Sequence, residues 1–260
     1  MTDLRAHAIE VLRKNDRGGY SVPTDGLYPF QWNWDAGFAA MGYACFDEAR
    51  AWSELRSLLR GQWGDGMVPH IVFHEDDSRY FPGPEVWRAE RTPKTSGITQ
   101  PPILAVAVRR IRERAKDRAM ADGAARELFP KLLAYHRWYH TARDPEGTGL
   151  VSTYHPWETG MDNSPAWDGP LARVPVDDLP PYERRDTGHV DARQRPRQAE
   201  YDRYLTLAHC FRARGYRPEA LYAESPFRVA DLAVNAILLR ADRELLALAE
   251  ELGIEQAAPS

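Results

Sequence analysis

Two cysteines in 260 residues, Cys45 and Cys210, are too few for a disulfide framework or a thiolate metal site. Each falls in a predicted helix, where a small buried apolar side chain in a reducing compartment is expected. Charge of one sign is equally scarce: 34 Lys and Arg face 38 Asp and Glu. That balance supplies no electrostatic footprint for nucleic acid or an anionic membrane surface. No apolar run reaches spanning length and residues 1–15 lack a signal-peptide core, so a cytoplasmic protein is expected. Internal repeats at solenoid periods are missing, which argues against a helical scaffold for binding protein. A convincing strand alternation is missing too, apart from a short extended piece at 67–73.

Helical periodicity is what the chain does have. Thr2 is expected to cap a first helix with Leu4, Ala8, Val11 and Leu12 on one stripe. A second helix is predicted over 34–46, where Gly37 and Gly42 admit close neighbours. The third carries Ala51, Leu55, Leu58 and Leu59 to Gly61. A fourth follows Pro101 and Pro102 with Leu104, Val108, Ile111 and Ala115 buried, and a fifth over 120–141 breaks at Pro130. The sixth places Tyr201, Tyr204, Leu205, Ala208 and Phe211 on one side. Ser225 with Pro226 starts the seventh, which reaches about Arg240, and a kinked or separate segment continues to Gly253.

Loop lengths then order the helices. Short connections at 46–47, 116–120 and 215–225 favour antiparallel neighbours, so the long connections after helices one, three and five emerge at one end. Connections that long in a compact chain, and that aromatic, point to a ligand site. The third, over 143–196, contains Trp157-Glu158-Thr159-Gly160-Met161-Asp162 and continues to Trp167-Asp168. Glu158, Asp162 and Asp168 are candidates for proton transfer, and Trp157 and Trp167 offer flat apolar faces for a sugar. The competing reading is a surface loop whose acids cap turns and whose tryptophans staple it down. Convergence of the three loops gathers Tyr28, Trp32, Trp34, Asp35, His70, Tyr80, Gln100 and Asp162 on one face. His70 and His74 stand four apart, but Pro69 and the β-branched residues between them oppose a helix, so no metal and no cofactor are expected.

Four ordered motifs carry a resemblance: Tyr28-Pro29-Phe30-Gln31-Trp32-Asn33-Trp34-Asp35, Gly66-Met67-Val68-Pro69-His70, Gly97-Ile98-Thr99-Gln100-Pro101-Pro102 and Thr159-Gly160-Met161-Asp162-Asn163-Ser164-Pro165. From Asp3 to Gly253 the chain resembles the mannosylglycerate and glucosylglycerate hydrolases of glycoside hydrolase family 63. The resemblance implies an all-α fold, a partial (α/α)6 toroid of about seven of twelve helices over residues 1–254, with a tail at 255–260. It implies inverting hydrolysis of an α-glycosidic bond in a small carbohydrate substrate. Asp162 matches the general acid. Tyr28, Trp32, Trp34, Asp35 and Gln100 match the sugar pocket; Thr159, Gly160 and Met161 match the wall beside the acid. His70, Tyr80 and Arg195 match the glycerate side.

The family's second carboxylate, the general base, lies in helices for which this sequence has no counterpart. Activity is therefore not expected of these 260 residues alone, and self-association or a complementing chain is. The alternatives are a trehalase-like or other α-glucosidase and a noncatalytic sugar-binding fragment. Nothing in the motifs separates glucose from mannose.

Overall fold

A computed structural model describes residues 3–255 except 178, 189 and 190. Thr2 and the tail from 256 lie outside the described residues. Helices α1 (Leu4–Lys14), α2 (Asn33–Tyr43), α3 (Glu48–Leu59), α4 (Pro84–Trp87), α5 (Leu104–Arg114), α6 (Arg118–Ala142), α7 (Asp168–Ala172), α8 (Gln198–Ala213), α9 (Pro218–Glu224) and α10 (Leu232–Leu252) alternate with long irregular segments. Among the described residues no helix is long and apolar enough to cross a membrane. Seven of these helices have eleven residues or more, and the architecture is all-α, the arc of a toroid built from helical hairpins.

Asp side chains start four of the helices. Asp3 accepts the Arg5 and Ala6 N–H groups, Asp47 accepts Arg50, Asp117 accepts Met120 and Asp231 accepts Val234. The main core is assembled by α2, α3, α5, α6 and α10 around Trp52, Leu55, Val108, Leu132, Tyr139 and Leu245. A Cβ added to Gly37 would lie 2.6 Å from Ile103, and one on Gly42 2.9 Å from Leu12, so both glycines let neighbours approach as expected. Helix α8 contributes nothing to this core and is not the packed neighbour of α10 that the 215–225 connection suggested, because α9 and the extended segment after it separate the two. It packs on α4 and α7 and supplies Tyr204 and Phe211 to two smaller cores.

Several local expectations are corrected. Helix α6 runs through Pro130 unbroken, because Leu128, Phe129, Leu132 and Tyr135 on both sides are buried and their packing outweighs the roughly 3 kcal/mol that an interior proline costs. Ser225 closes α9 rather than opening a helix. The segment after it is extended, with Val229 bridged to Thr153 and Phe227 fully buried, so the helix begins only at the Asp231 cap and continues without interruption past Arg240. The stripe of α1 is mostly solvent-facing: Leu4 and Val11 are exposed and Leu12 alone packs on the core. Cys45 lies beyond the end of α2 and is exposed; Cys210 is half-buried in α8.

Three short strands, β1 (Gln31–Trp32), β2 (Ile71–Phe73) and β3 (Lys94–Thr95), pair antiparallel in that order. Two residues show no alternation, which is why β1 and β3 are invisible to periodicity. Their effect is positional: β1 belongs to the first long connection and β2 and β3 to the second, so the sheet ties these loops together.

Helices α6 and α10 are joined by a shared carboxylate. Asp242 bonds His136 Nδ1 at 2.6 Å and His140 Nε2 at 3.1 Å. Despite the opposing effect of burial, the two histidines hold Asp242 at about 2, below its ordinary 3.8, and Asp242 raises His140 above its ordinary 6.5. The Asp242 contribution is present above pH 3.8 and lost as pH falls toward 2; the His140 contribution is present below 6.5 and lost as pH rises through its folded value. Both operate between about pH 4 and 6.5. Asp242→Asn is accordingly expected to cost about 2 kcal/mol at pH 5.5 and less at pH 9. Urea denaturation at the two pH values tests this, and an equal loss at both contradicts it.

Candidate functional site

The three long connections, residues 15–32, 60–103 and 143–197, meet at one end of the helices and line a common pocket. The first supplies Tyr28 and Trp32, and the opening turn of α2 adds Trp34 and Asp35. The second supplies His70, Tyr80 and Gln100, and the third Trp157, Gly160, Asp162 and Arg195.

Hydrogen bonds to side chains and to backbone carbonyls fix these segments. Gln31 Nε2 donates to buried Glu54 at 2.6 Å, and Asn33 Nδ2 donates to the Val68 carbonyl at 3.2 Å. The Asn33 N–H reaches the His70 carbonyl at 3.0 Å, and the His70 N–H reaches Ile98 at 2.7 Å. Gln100 is held from both ends: its carbonyl accepts the hydroxyls of Tyr135 and Tyr139 at 2.9 and 2.6 Å, and its Oε1 accepts the Trp34 N–H at 3.3 Å. Trp32 is buried, with Tyr80 edge-on at 5.5 Å and Tyr28 at 5.2 Å between centroids.

The glycine before the acid has a steric reason. Gly160 has φ 70°, and a Cβ there would fall 2.4 Å from the Trp34 ring. Only glycine lets that indole lie along the pocket wall. Asp162 follows two residues later, its carbonyl accepting the Tyr204 hydroxyl at 2.9 Å. Burial raises its carboxyl above the ordinary 3.8, against the opposing charge of Arg195 and hydrogen bonds from nearby backbone and the Trp157 indole. A carboxyl shifted in that direction is what a proton donor near neutrality needs.

Asp35 is not a helix cap, since α2 starts from Trp32 with no side-chain cap. Burial raises its carboxyl to about 6. A group raised in the fold adds stability below its unfolded value of 3.8 and loses that contribution as pH rises through 6, so the ionised side chain costs stability at neutral pH. Asp35→Asn is expected to be about 1 kcal/mol more stable than wild type at pH 7.5, the gain vanishing at pH 4. Thermal unfolding at both pH values reads this; a destabilised variant at pH 7.5 contradicts it.

His70 is buried and pushed down to about 3, so it is neutral, and its Nδ1 has no hydrogen-bond partner among the described residues. Its ring stacks on Trp157 at 6.3 Å. His74 is occupied elsewhere, bonded to Gln31 at 2.8 Å and stacked on Tyr20. Arg195 lines the pocket: Nε donates to Asp186 at 2.8 Å and Nη1 to the Tyr28 hydroxyl at 3.0 Å.

Five candidates stand elsewhere, the first being Met161, whose side chain is exposed and does not line the pocket. Glu158 is buried behind the pocket, ion-paired with Arg143 at 2.6 Å and accepting the Tyr154 N–H at 2.8 Å, because a buried carboxylate needs its partners. Thr159 stands behind the wall, its hydroxyl donating to Pro156 at 2.7 Å and accepting the Met161 N–H at 3.0 Å. Trp167 staples the loop, packed on Leu171 and Phe227 with its indole on the Met161 carbonyl at 2.8 Å. Asp168 opens α7 and does not line the pocket. Sequence reasoning missed Tyr201, which its stripe assigned to core, and Asp186, whose only signal was the arginines around it.

Known proteins resemble this chain over most of its length. Residues 28–260 match the mannosylglycerate hydrolase MGH1-like glycoside hydrolase domain. The chain is 61% identical over 257 residues to mannosylglycerate hydrolase MGH1 of Selaginella moellendorffii, covering 97% of this chain and 53% of that protein. It is 42% identical over 263 residues to the glucosylglycerate hydrolase of Mycolicibacterium hassiacum, covering 96% and 59%. The crystal structure of the family 63 mannosylglycerate hydrolase from Thermus thermophilus in complex with Tris and D-glycerate superposes with a TM-score of 0.93 at 57% identity, over 98% of this chain and 60% of that one. The chain thus spans between half and two thirds of the length of these relatives, and it belongs to the mannosylglycerate hydrolase MGH1-like family of glycoside hydrolases.

Proposed function

We propose that these residues form the acid-bearing, ligand-binding part of an inverting α-glycosidase acting on mannosylglycerate or glucosylglycerate. The observation that carries this reading is one pocket holding a carboxyl raised by burial, Asp162, beside a cationic corner formed by Arg195 and the Tyr28 hydroxyl. Asp162 donates its proton to the glycosidic oxygen as the bond from that oxygen to the anomeric carbon breaks. Water adds to that carbon from the opposite face and gives its proton to a second carboxylate. Asp35 and Gln100 hold sugar hydroxyls, Trp34 and Trp32 exclude water along the ring, and Arg195, His70 and Tyr80 receive the glycerate.

Asp186 is committed to two arginines and Asp35 to the sugar, so the water-activating carboxylate is assigned to the part of the relatives that this chain does not span. Leu232, Leu239 and Leu246 on α10 and Phe38 on α2 are exposed apolar side chains, a surface for that remaining part, for a complementing chain or for a second copy. Sugar binding without turnover is the corresponding reading for the 260 residues alone. The test is a fusion that continues this sequence with the Selaginella residues beyond the match. It is expected to release glycerate and sugar from one or both glycosides, the sugar first appearing with inverted anomeric configuration by proton NMR, while the 260-residue chain is inactive. A fusion that folds and hydrolyses neither glycoside contradicts the proposal.

A further inference from the structure

We propose that Asp186 is a positioning residue for ligand binding: it fixes Arg195 so that the guanidinium meets a carboxylate in the pocket. This rests on the reading that the Arg195 corner receives the glycerate anion. Asp186 is buried between two guanidiniums. Its Oδ2 accepts Arg195 Nε at 2.8 Å and Arg184 Nη2 at 2.7 Å, and its Oδ1 accepts Arg184 Nε at 3.0 Å. Arg184 is itself tethered, with Nη1 on the Pro196 carbonyl at 2.8 Å and its guanidinium 4.3 Å from the centroid of Tyr201. The carboxylate is therefore pinned from one side before it engages Arg195 on the other.

The geometry of arginine supplies the consequence. Its donors are arranged as a planar fork, so engaging Nε with Asp186 and Nη1 with Tyr28 fixes the plane and leaves the far edge as the one that can turn to a ligand. An arginine on a loop without such a tether orders its long side chain on binding, which weakens the complex. Charge counting points the same way. One carboxylate between two guanidiniums keeps the corner at a net single positive charge, attractive to an anion. Without it, Arg184 and Arg195 repel each other and Arg195 is driven from its position. Opposing burial, the bonds from Arg184 and Arg195 hold the Asp186 carboxyl below its ordinary 3.8, so the tether persists at neutral pH.

A double-mutant cycle on the 260-residue chain tests the proposal, with D-glycerate and glucose titrated calorimetrically into wild type, Asp186→Asn, Arg195→Met and the double variant. Expected are a loss of about tenfold or more in D-glycerate affinity for each single variant, unchanged glucose affinity, and no further loss when Asp186→Asn is added to Arg195→Met. If Arg195→Met weakens D-glycerate while Asp186→Asn does not, the positioning role is overturned and the anion corner stands. The positioning role is also overturned if Asp186→Asn lowers glucose affinity equally, or acts undiminished without Arg195; Asp186 then merely shapes the loop. If wild type binds no D-glycerate, or Arg195→Met leaves its affinity unchanged, the underlying reading of the corner fails and the inference with it.

Discussion

Glu158→Ala is expected to destabilise the protein by about 3–5 kcal/mol, a large share of the total stability of an ordinary domain. Arg143 and Glu158 are 3% and 1% exposed, and the guanidinium lies 4.6 Å from the ring centroids of both Trp138 and Tyr154. Removing the carboxylate leaves that cation out of water and unpaired. It also strands the N–H groups of Tyr154 and Thr99, which donate to Glu158 at 2.8 and 3.4 Å. The apolar double replacement Arg143→Met with Glu158→Leu is expected to lose less than the single change, since no buried charge remains. Chemical denaturation measures both, and a single variant within about 1 kcal/mol of wild type would show that the fold does not depend on the pair. The pocket suffers with the fold, because Thr99 adjoins Gln100 and Glu158 adjoins the turn that leads to Asp162.

The second large effect concerns chemistry. In the fusion carrying the complete toroid, Asp162→Asn is expected to lower kcat on mannosylglycerate or glucosylglycerate by about 10²–10⁴ with little change in ligand affinity, the loss typical of removing a general acid. The leaving group supplies the control. A dinitrophenolate departs without protonation, so an activated aryl glycoside is expected to lose far less than the natural substrate. Equal losses on both would mean that Asp162 serves structure or binding instead. The pH profile follows from its raised carboxyl: activity requires the protonated acid and falls as pH rises through its folded value. In the Asn variant that alkaline limb is expected to disappear.

Much of this site is legible in the sequence, for specific reasons. Asp162 stood out because acids and tryptophans crowded a segment too long and irregular for core. Trp34, Asp35, His70 and Gln100 came into the same neighbourhood through counting: short turns between helices force the intervening long connections to one end. Glu158 and Trp167 stayed open between two readings because a carboxylate that transfers a proton and one that neutralises Arg143 have the same letter and the same polar surroundings in sequence, as do a tryptophan that faces a ligand and one that staples a loop. Helix ends went astray where packing overrode local preference, as when Phe227 and the Thr153–Val229 bridge drew the chain past Ser225 in extended form.

The seven long helices, the pairing of α2 with α3 and of α5 with α6, the rim on which the loops gather and the membership of Asp162 in that rim follow from the sequence itself, since periodicity and connection length act locally along the chain. Which acids face the pocket, the close approach of Trp34 to Gly160, the Asp186 tether on Arg195 and the placement of α8 outside the main core were decided only in three dimensions. Each depends on a partner that is remote in sequence or on the burial of a charge. Whether a carboxylate is an acid, a counterion or a tether is determined by what surrounds it in space.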